Sequence, residues 1–195
     1  QTGSMFSAME SGTHPRRSKQ AKVKASPKTR QLTTFEADKL QGWFSLGHTL
    51  PNVPAKDKPA LDLMNYILAG GHFATRMWLE LRDKRGLTNT VGGYPEFTSD
   101  GTGTYTFRSY GRPEVIHQIV GIMLREMKGI RESKVTAEEL QIAKSAFTES
   151  RFEMQYANPT ATTQTFAREW LQHGDFSRSA SYVDRYNAVT MGQIH

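Results

Sequence analysis

Two apolar stripes at helical spacing, each ended by glycine, run straight into a strand–turn–strand pattern between residues 57 and 110. This order constrains the fold more than any other feature of the chain. Asp57-Lys58-Pro59 has the form of a helix start, with Asp57 as N-cap and proline in the first turn. Leu61, Met64, Ile67 and Leu68 supply its apolar stripe, and Gly70-Gly71 close it. A second helix over about 74–85 turns Met77, Trp78 and Leu81 inward and stops at Gly86. Strands are expected near 88–97 and 102–110, joined by Ser99-Asp100-Gly101, a hairpin signal.

Ahead of this unit, "KLQGWFSLGHTL" (39–50) reads as a strand holding Leu40, Trp43, Phe44 and Leu46. Its imperfect alternation predicts burial on both faces. Residues 22–37 give weaker strand signals. After the hairpin, Pro113 opens a third helix, with Val115, Ile116, Ile119, Val120, Met123, Met127 and Ile130 at helical spacing. Thr136-x-x-Glu139 is a capping box for a long helix reaching about Tyr156. Further helices are expected over 162–173, stopped by Gly174, and over 177–189. Thr190-x-x-Gln193 is another capping box, so the sequence reads as a chain cut before the helix it announces. The order β-α-α-β-β-α-α-α-α predicts an α+β sandwich, one mostly antiparallel sheet covered on a face by helices.

At 195 residues the chain suits one domain with an adequate core. It has no cysteine, which removes disulfides and thiolate-ligated zinc. No apolar run approaches the roughly 18 residues of a membrane span. The net charge of +6 points to nucleic acid until it is located. Residues 1–30 hold seven bases and one acid, which leaves 18 bases and 18 acids in 31–195. A nucleic-acid binder carries its basic face on the folded part. The basic segment 1–30 therefore reads as a flexible linker, with Gln1–Ser4 as an expression scar, and 31–195 reads as the domain.

Catalytic patterns are missing. His14, His48, His72, His117, His173 and His195 include no i, i+3 or i, i+4 pair, whereas a catalytic zinc needs three protein ligands. No Gly-x-Ser-x-Gly elbow occurs. "GYPEFTSDGTGTY" has glycines but no Walker lysine and reads as a hairpin turn. Glu138 and Glu139 serve helix capping, and Glu149 and Glu153 a solvated face. The residues by themselves describe a non-catalytic domain.

"DKPALDLMNYILAGG", "RMWLELRDKRGLTNTVGGY", "VTAEELQIAKSAF" and "YVDRYNAVTMGQI", in this order, resemble the second of the paired domains in pitrilysin/insulinase-type zinc peptidases, the family of the mitochondrial processing peptidases. The resemblance covers about residues 37–195. It implies a processing-peptidase-like α/β sandwich that stops here before the family's final helix and strand. In that family one domain carries His-x-x-Glu-His, and this chain lacks that motif. The resemblance therefore implies the inactive partner half: no cofactor in this chain, zinc in a catalytic homologous domain or subunit, and a peptide substrate between them. In relatives, the stretch matching 82–89 begins with arginine and has tyrosine seven residues later, both holding substrate backbone near the partner's zinc. Arg82 is kept, and Asn89 stands at the tyrosine's place. Asn is too short to set a phenolic donor there. Tyr94 is the candidate substitute, although residues 89 and 94 face opposite sides of a regular strand, and it takes a bulge at Gly92-Gly93 to restore the parity. Two functions compete, a substrate-binding half and a scaffold subunit without peptidase work. Similar bacterial chains are commonly exported, and a cysteine-free chain is compatible with that.

Overall fold

Three antiparallel strands and a succession of helices make up the computed structural model, which describes residues 32–34, 38–50, 52–98, 102–132 and 135–194. The strands are β1 (Gly42–Leu50), β2 (Val91–Phe97) and β3 (Gly103–Gly111), in the order β1-β3-β2. The segment 1–30 and the turn Ser99-Asp100-Gly101 lie outside the described residues, as does nearly all of 22–37. Of that last stretch, residues 32–34 have no strand structure. Register places Phe44 and Val91 on either side of Ser109, and Leu46 and Gly93 on either side of Phe107. These residues, with Leu50 and Tyr105, form the covered face. The alternation in β1 is that of a half-buried strand. Trp43 is 71% exposed and stacks at 4.4 Å on Tyr110, on the uncovered face. The expectation of two buried faces therefore fails: Trp43 and Phe44 are adjacent and point to opposite sides.

The cover comes from helices that change pitch. Helix α1 (Lys58–Asn65) widens into a π turn, Tyr66–Gly70. Asp57 holds the N-cap position, but its side chain makes no capping bond and its backbone is already helical (φ −93°, ψ −12°). Pro59 in the first turn does the starting. Helix α2 (Arg76–Trp78) begins where the Thr75 hydroxyl accepts from the Trp78 N–H at 3.2 Å, and widens into a π turn, Leu79–Asp83. Leu63, Met77 and Leu81 are fully buried and meet Phe107 of the sheet with Ile119 and Met123 of helix α3 (Ile116–Glu132).

Helix α4 (Ala137–Ser145) starts at the expected capping box, in which Glu139 N–H donates to Thr136 Oγ1 at 3.1 Å and Thr136 N–H to Glu139 at 2.9 Å. It continues through a third π turn, Ala146–Arg151, into α5 (Phe152–Tyr156). Helix α6 (Pro159–His173) starts at Asn158, whose side chain accepts from Ala161 N–H at 2.9 Å, and ends at Gly174 with φ +77°. The helix expected over 177–189 splits into α7 (Ser177–Ala180) and α8 (Tyr182–Asn187), and α9 (Met191–Ile194) follows the Thr190 box.

Two buried polar ties lock helix to sheet and chain end to chain start. Asn65 donates to the Gly93 carbonyl at 3.0 Å and accepts from the Tyr105 hydroxyl at 2.8 Å. The Tyr186 hydroxyl donates to Asp62 at 2.6 Å, 124 residues away. Burial pushes the Asp62 carboxyl above its ordinary range, against this hydrogen bond and the charges of Arg151, Lys58 and Arg185.

Candidate functional site

The site is built where α2 gives way to β2. Gly86 N–H donates to the Arg82 carbonyl at 2.8 Å and Leu87 N–H to the Leu81 carbonyl at 2.9 Å. The first is the 5→1 bond of an αL ending, the second encloses it after the widened last turn, and Gly86 at φ +59° is the left-handed residue such an ending requires. The motif places Leu81 inward and fully buried, and Arg82 outward on the last turn, where the helix dipole favours a cation. The Arg82 side chain is 48% exposed, donates to Asp83 at 3.0 Å and lies 5.1 Å from the Trp78 ring. The neighbouring bases are occupied otherwise. Glu80 collects Lys84 and Arg85, the latter at 2.6 Å, with Arg125 at 3.5 Å, and Lys84 and then Arg85 hold its carboxyl below the ordinary range.

Residues 88–90 are pinned by hydroxyls. Thr88 Oγ1 donates to the Thr90 carbonyl at 2.8 Å, and buried Ser109 donates to the same carbonyl at 2.7 Å. This network delays the strand until Val91 instead of 88. Thr88 and Ser109 do the structural work at this junction, and the sequence reading missed both. Asn89 stands between them, exposed, on a bend.

Register from Val91 opposite Ser109 to Phe97 opposite Gly103 is unbroken, so the bulge at Gly92-Gly93 that Tyr94 would need as a substitute is not formed. Gly93 is needed flat for another reason: a side chain there would strike Asn65 and the Phe107 ring. Tyr94 therefore stays on the uncovered face. It is 43% exposed, its ring lies 5.1 Å from the Arg108 guanidinium, and its hydroxyl folds back over Gly92. Tyr94 also lines a cavity of about 390 Å³ along the outer edge of β2, opposite Asp62, Asn65 and Arg151. Neither Arg82 nor Asn89 lines that cavity. The three residues thus share one junction without forming one cluster.

A guanidinium offers fixed charge and several donors to carbonyl oxygens or an oxyanion. Among the described residues no three His, Asp or Glu side chains gather as a metal site would, so they do not fit a zinc ion. Nor is any described helix long and apolar enough to cross a membrane.

The model of the peptidase M16 inactive domain matches residues 4–147. The chain belongs to this family. In fold, this inactive domain is similar to the peptidase M16 inactive domain from Pseudomonas fluorescens, with a TM-score of 0.69 and 22% identity over 79% of this chain and 36% of that one. It is similar to the inactive peptidase domain from Bordetella parapertussis, with a TM-score of 0.66 and 20% identity over 84% and 86% of the two chains. A chain of Complex III2 from Candida albicans aligns with a TM-score of 0.68 and 12% identity over 82% and 39%. No curated protein matches the chain. The chain spans little more than a third of the Pseudomonas chain's length, and at these identities the likeness is one of fold.

Proposed function

We propose that this inactive domain is the substrate-binding, non-catalytic half of a zinc-dependent peptidase. Proteolysis then needs a homologous domain bearing His-x-x-Glu-His, fused or separate, and the zinc resides there. The observation that carries the reading is the presentation of Arg82. The left-handed ending at Gly86 fixes its backbone, Leu81 anchors the turn in the core, and the guanidinium is left exposed with one neighbouring carboxylate. Such a group is free to reach across a seam to a peptide carbonyl. The test is reconstitution. The chain alone leaves peptides intact, and mixing or fusing it with a domain that carries His-x-x-Glu-His restores cleavage. Cleavage by the catalytic domain at the same rate without this chain contradicts the reading.

Asn89 favours a second reading, a scaffold subunit that has given up peptidase work, and the fold likeness to a chain of Complex III2 is compatible with it. Asn89→Tyr separates the two. A full oxyanion donor is worth about a hundred- to thousand-fold in rate. A rate gain approaching that size in the reconstituted assembly supports the peptidase reading, and an assembly that stays silent with either residue supports the scaffold.

A further inference from the structure

The long helical segment that ends in α5 does not meet α6 through an apolar seam along its whole length. Between them runs an open channel of about 640 Å³. From one side Ser150, Arg151, Met154 and Gln155 face it, and from the other Ala161, Gln164, Thr165 and Arg168. Both sets follow i, i+4 and i+3 spacing, so each is one stripe of a helix. Tyr66 and Gly70 from the first π turn, with Gly71 and Ala146, complete the lining. Gln155, Thr165 and Arg168 also line a second cavity of about 190 Å³, and at this neck between the two Thr165 donates to the Gln155 carbonyl at 3.2 Å. Arg178, Arg185, His173 and Tyr182 line that one. At its other end Arg151 also borders the cavity beside β2 that holds Tyr94.

The charges along this path do not cancel. Five arginines elsewhere find carboxylates, among them Arg76, which grips Glu139 at 2.6 and 2.8 Å, Arg85 on Glu80 and Arg108 near Glu96, while Arg112 and Arg131 stand apart from one another without such a partner among the described residues. Among the described residues no carboxylate comes within 4.0 Å of Arg151, Arg168, Arg178 or Arg185. Arg151 lies instead over the Phe147 ring at 4.2 Å. Arg185 donates to the Arg178 carbonyl at 2.9 Å, while its Nε is buried without a partner. The acid in the smaller cavity, Glu169, is buried and already engaged. Its oxygens accept from the N–H groups of Arg178 at 2.7 Å and Ser179 at 2.8 Å, and from the Ser179 hydroxyl. Glu96 and Asp62 line the cavity beside β2, where Asp62 is tied to Tyr186 and offsets part of the charge of Arg151 and Arg185, leaving the arginines in excess along the path.

We propose that this channel binds an acidic, extended segment of the peptide substrate. One carboxylate sits among Arg168, Arg178 and Arg185, and the chain runs past the Gln155–Thr165 neck towards Arg151. The proposal rests on the substrate-binding reading above and adds the charge of the substrate. The uncompensated arginines select negative charge, and the amide and hydroxyl side chains along the walls match peptide N–H and C=O groups. A polynucleotide would need exposed rings for its bases to stack on. The ring on the channel wall, Tyr66, is edge-on to Phe147 at 6.0 Å, with the Arg151 guanidinium 5.7 Å from its centre.

Fluorescence anisotropy of labelled peptides with this chain, with no metal and no turnover, tests the channel. A cleavage failure in the reconstituted assembly leaves this result standing, and the reverse also holds. Peptides of equal length rich in Glu and Asp, in Ser and Gly, or in Lys are compared. Three or four partly exposed ion pairs predict about tenfold tighter binding of the acidic peptide than of the neutral one. That advantage shrinks severalfold when salt rises from about 50 to about 300 mM. Arg168→Glu removes most of it. Arg168 is exposed and unpaired, so this substitution tests binding rather than folding, and the salt titration needs no substitution at all. Equal binding of acidic and neutral peptides, indifference to salt, or parent-like affinity in Arg168→Glu overturns the proposal. So does an oligothymidylate that binds as tightly as the acidic peptide.

Discussion

Helices α1 and α2 turn Leu63, Met77 and Leu81 into the core, where these side chains have no contact with water. Helices α5 and α6, in the same chain, turn Arg151, Gln155, Thr165 and Arg168 towards one another across open space. The first pair obeys the rule that an amphipathic helix buries its apolar stripe. The second pair places a polar, cationic stripe where a seam could have been. Folding alone explains the first arrangement. The binding proposed above accounts for the second, since among the described residues no carboxylate lies within 4.0 Å of the four arginines gathered there.

The contrast breaks most visibly under truncation. Leu81→Ala empties a fully buried site and is expected to cost about 2–5 kcal/mol in urea unfolding. Met154→Ala on the channel wall removes a side chain that is already exposed, and stays within about 0.5 kcal/mol. A Met154→Ala loss as large as that of Leu81→Ala would mean that the channel is core. Asn65→Ala comes next. It leaves the Gly93 carbonyl and the Tyr105 hydroxyl buried without their partner, at about 2–3 kcal/mol. Asn65→Asp keeps the acceptor for Tyr105 and loses the donor to Gly93, so an intermediate loss is expected.

Acid titration sharpens the comparison at smaller amplitude. The Arg76 hydrogen bond, partly offset by burial and aided by Thr136, holds Glu139 below the ordinary carboxylate range. A depressed folded value supplies stability above the ordinary range and loses it as pH falls through the lowered value. Glu139→Gln is therefore expected to cost about 1–2 kcal/mol at neutral pH and to flatten the acid limb of the stability curve. Asp62 has the opposite sign. Burial raises it, so its favourable contribution is complete below the ordinary carboxylate range and fades as pH rises through the raised value. Asp62→Asn should leave stability at neutral pH unchanged or higher, and thermal melts at pH 4 and pH 7 read both effects. A strong loss from Asp62→Asn at neutral pH would mean that the carboxylate, not the neutral acid, is the form the fold prefers.

Much of the fold was legible because its punctuation is local. Gly86, the Thr136 box, Pro59 and Gly174 act within one turn, so neighbouring residues reveal them. The parts that were not legible depend on distant residues. The three π turns carry no sequence signature, and within α1 Leu61-Met64-Leu68 and Ala60-Leu63-Ile67 are both helical spacings, so only packing shows that Leu63 faces the core and Leu61 and Met64 lie at its edge. The start of β2 moved from 88 to 91 because Ser109, far along the chain, captures Thr88 and the Thr90 carbonyl. Asn65 read as a mid-helix residue until Gly93 and Tyr105 arrived beside it. At the site, Arg82 stood out from its place before Gly86, and its exposure follows from the left-handed helix ending there. The bulge that would have redirected Tyr94 failed because Gly93 must lie flat against Asn65 and Phe107. The arginines of the channel were invisible: 151, 168, 178 and 185 have no common spacing and converge only once α5 to α8 have packed.

The central claim is that the Arg82 guanidinium acts on substrate held by a partner domain. Its most direct test is kcat/KM of the reconstituted assembly with Arg82→Ala, read beside the melting curve of the domain. Loss of one oxyanion-type donor predicts a fall of about a hundredfold or more, with the melt displaced by no more than about 2 °C. Cleavage at the parent rate by the Arg82→Ala assembly would contradict the account.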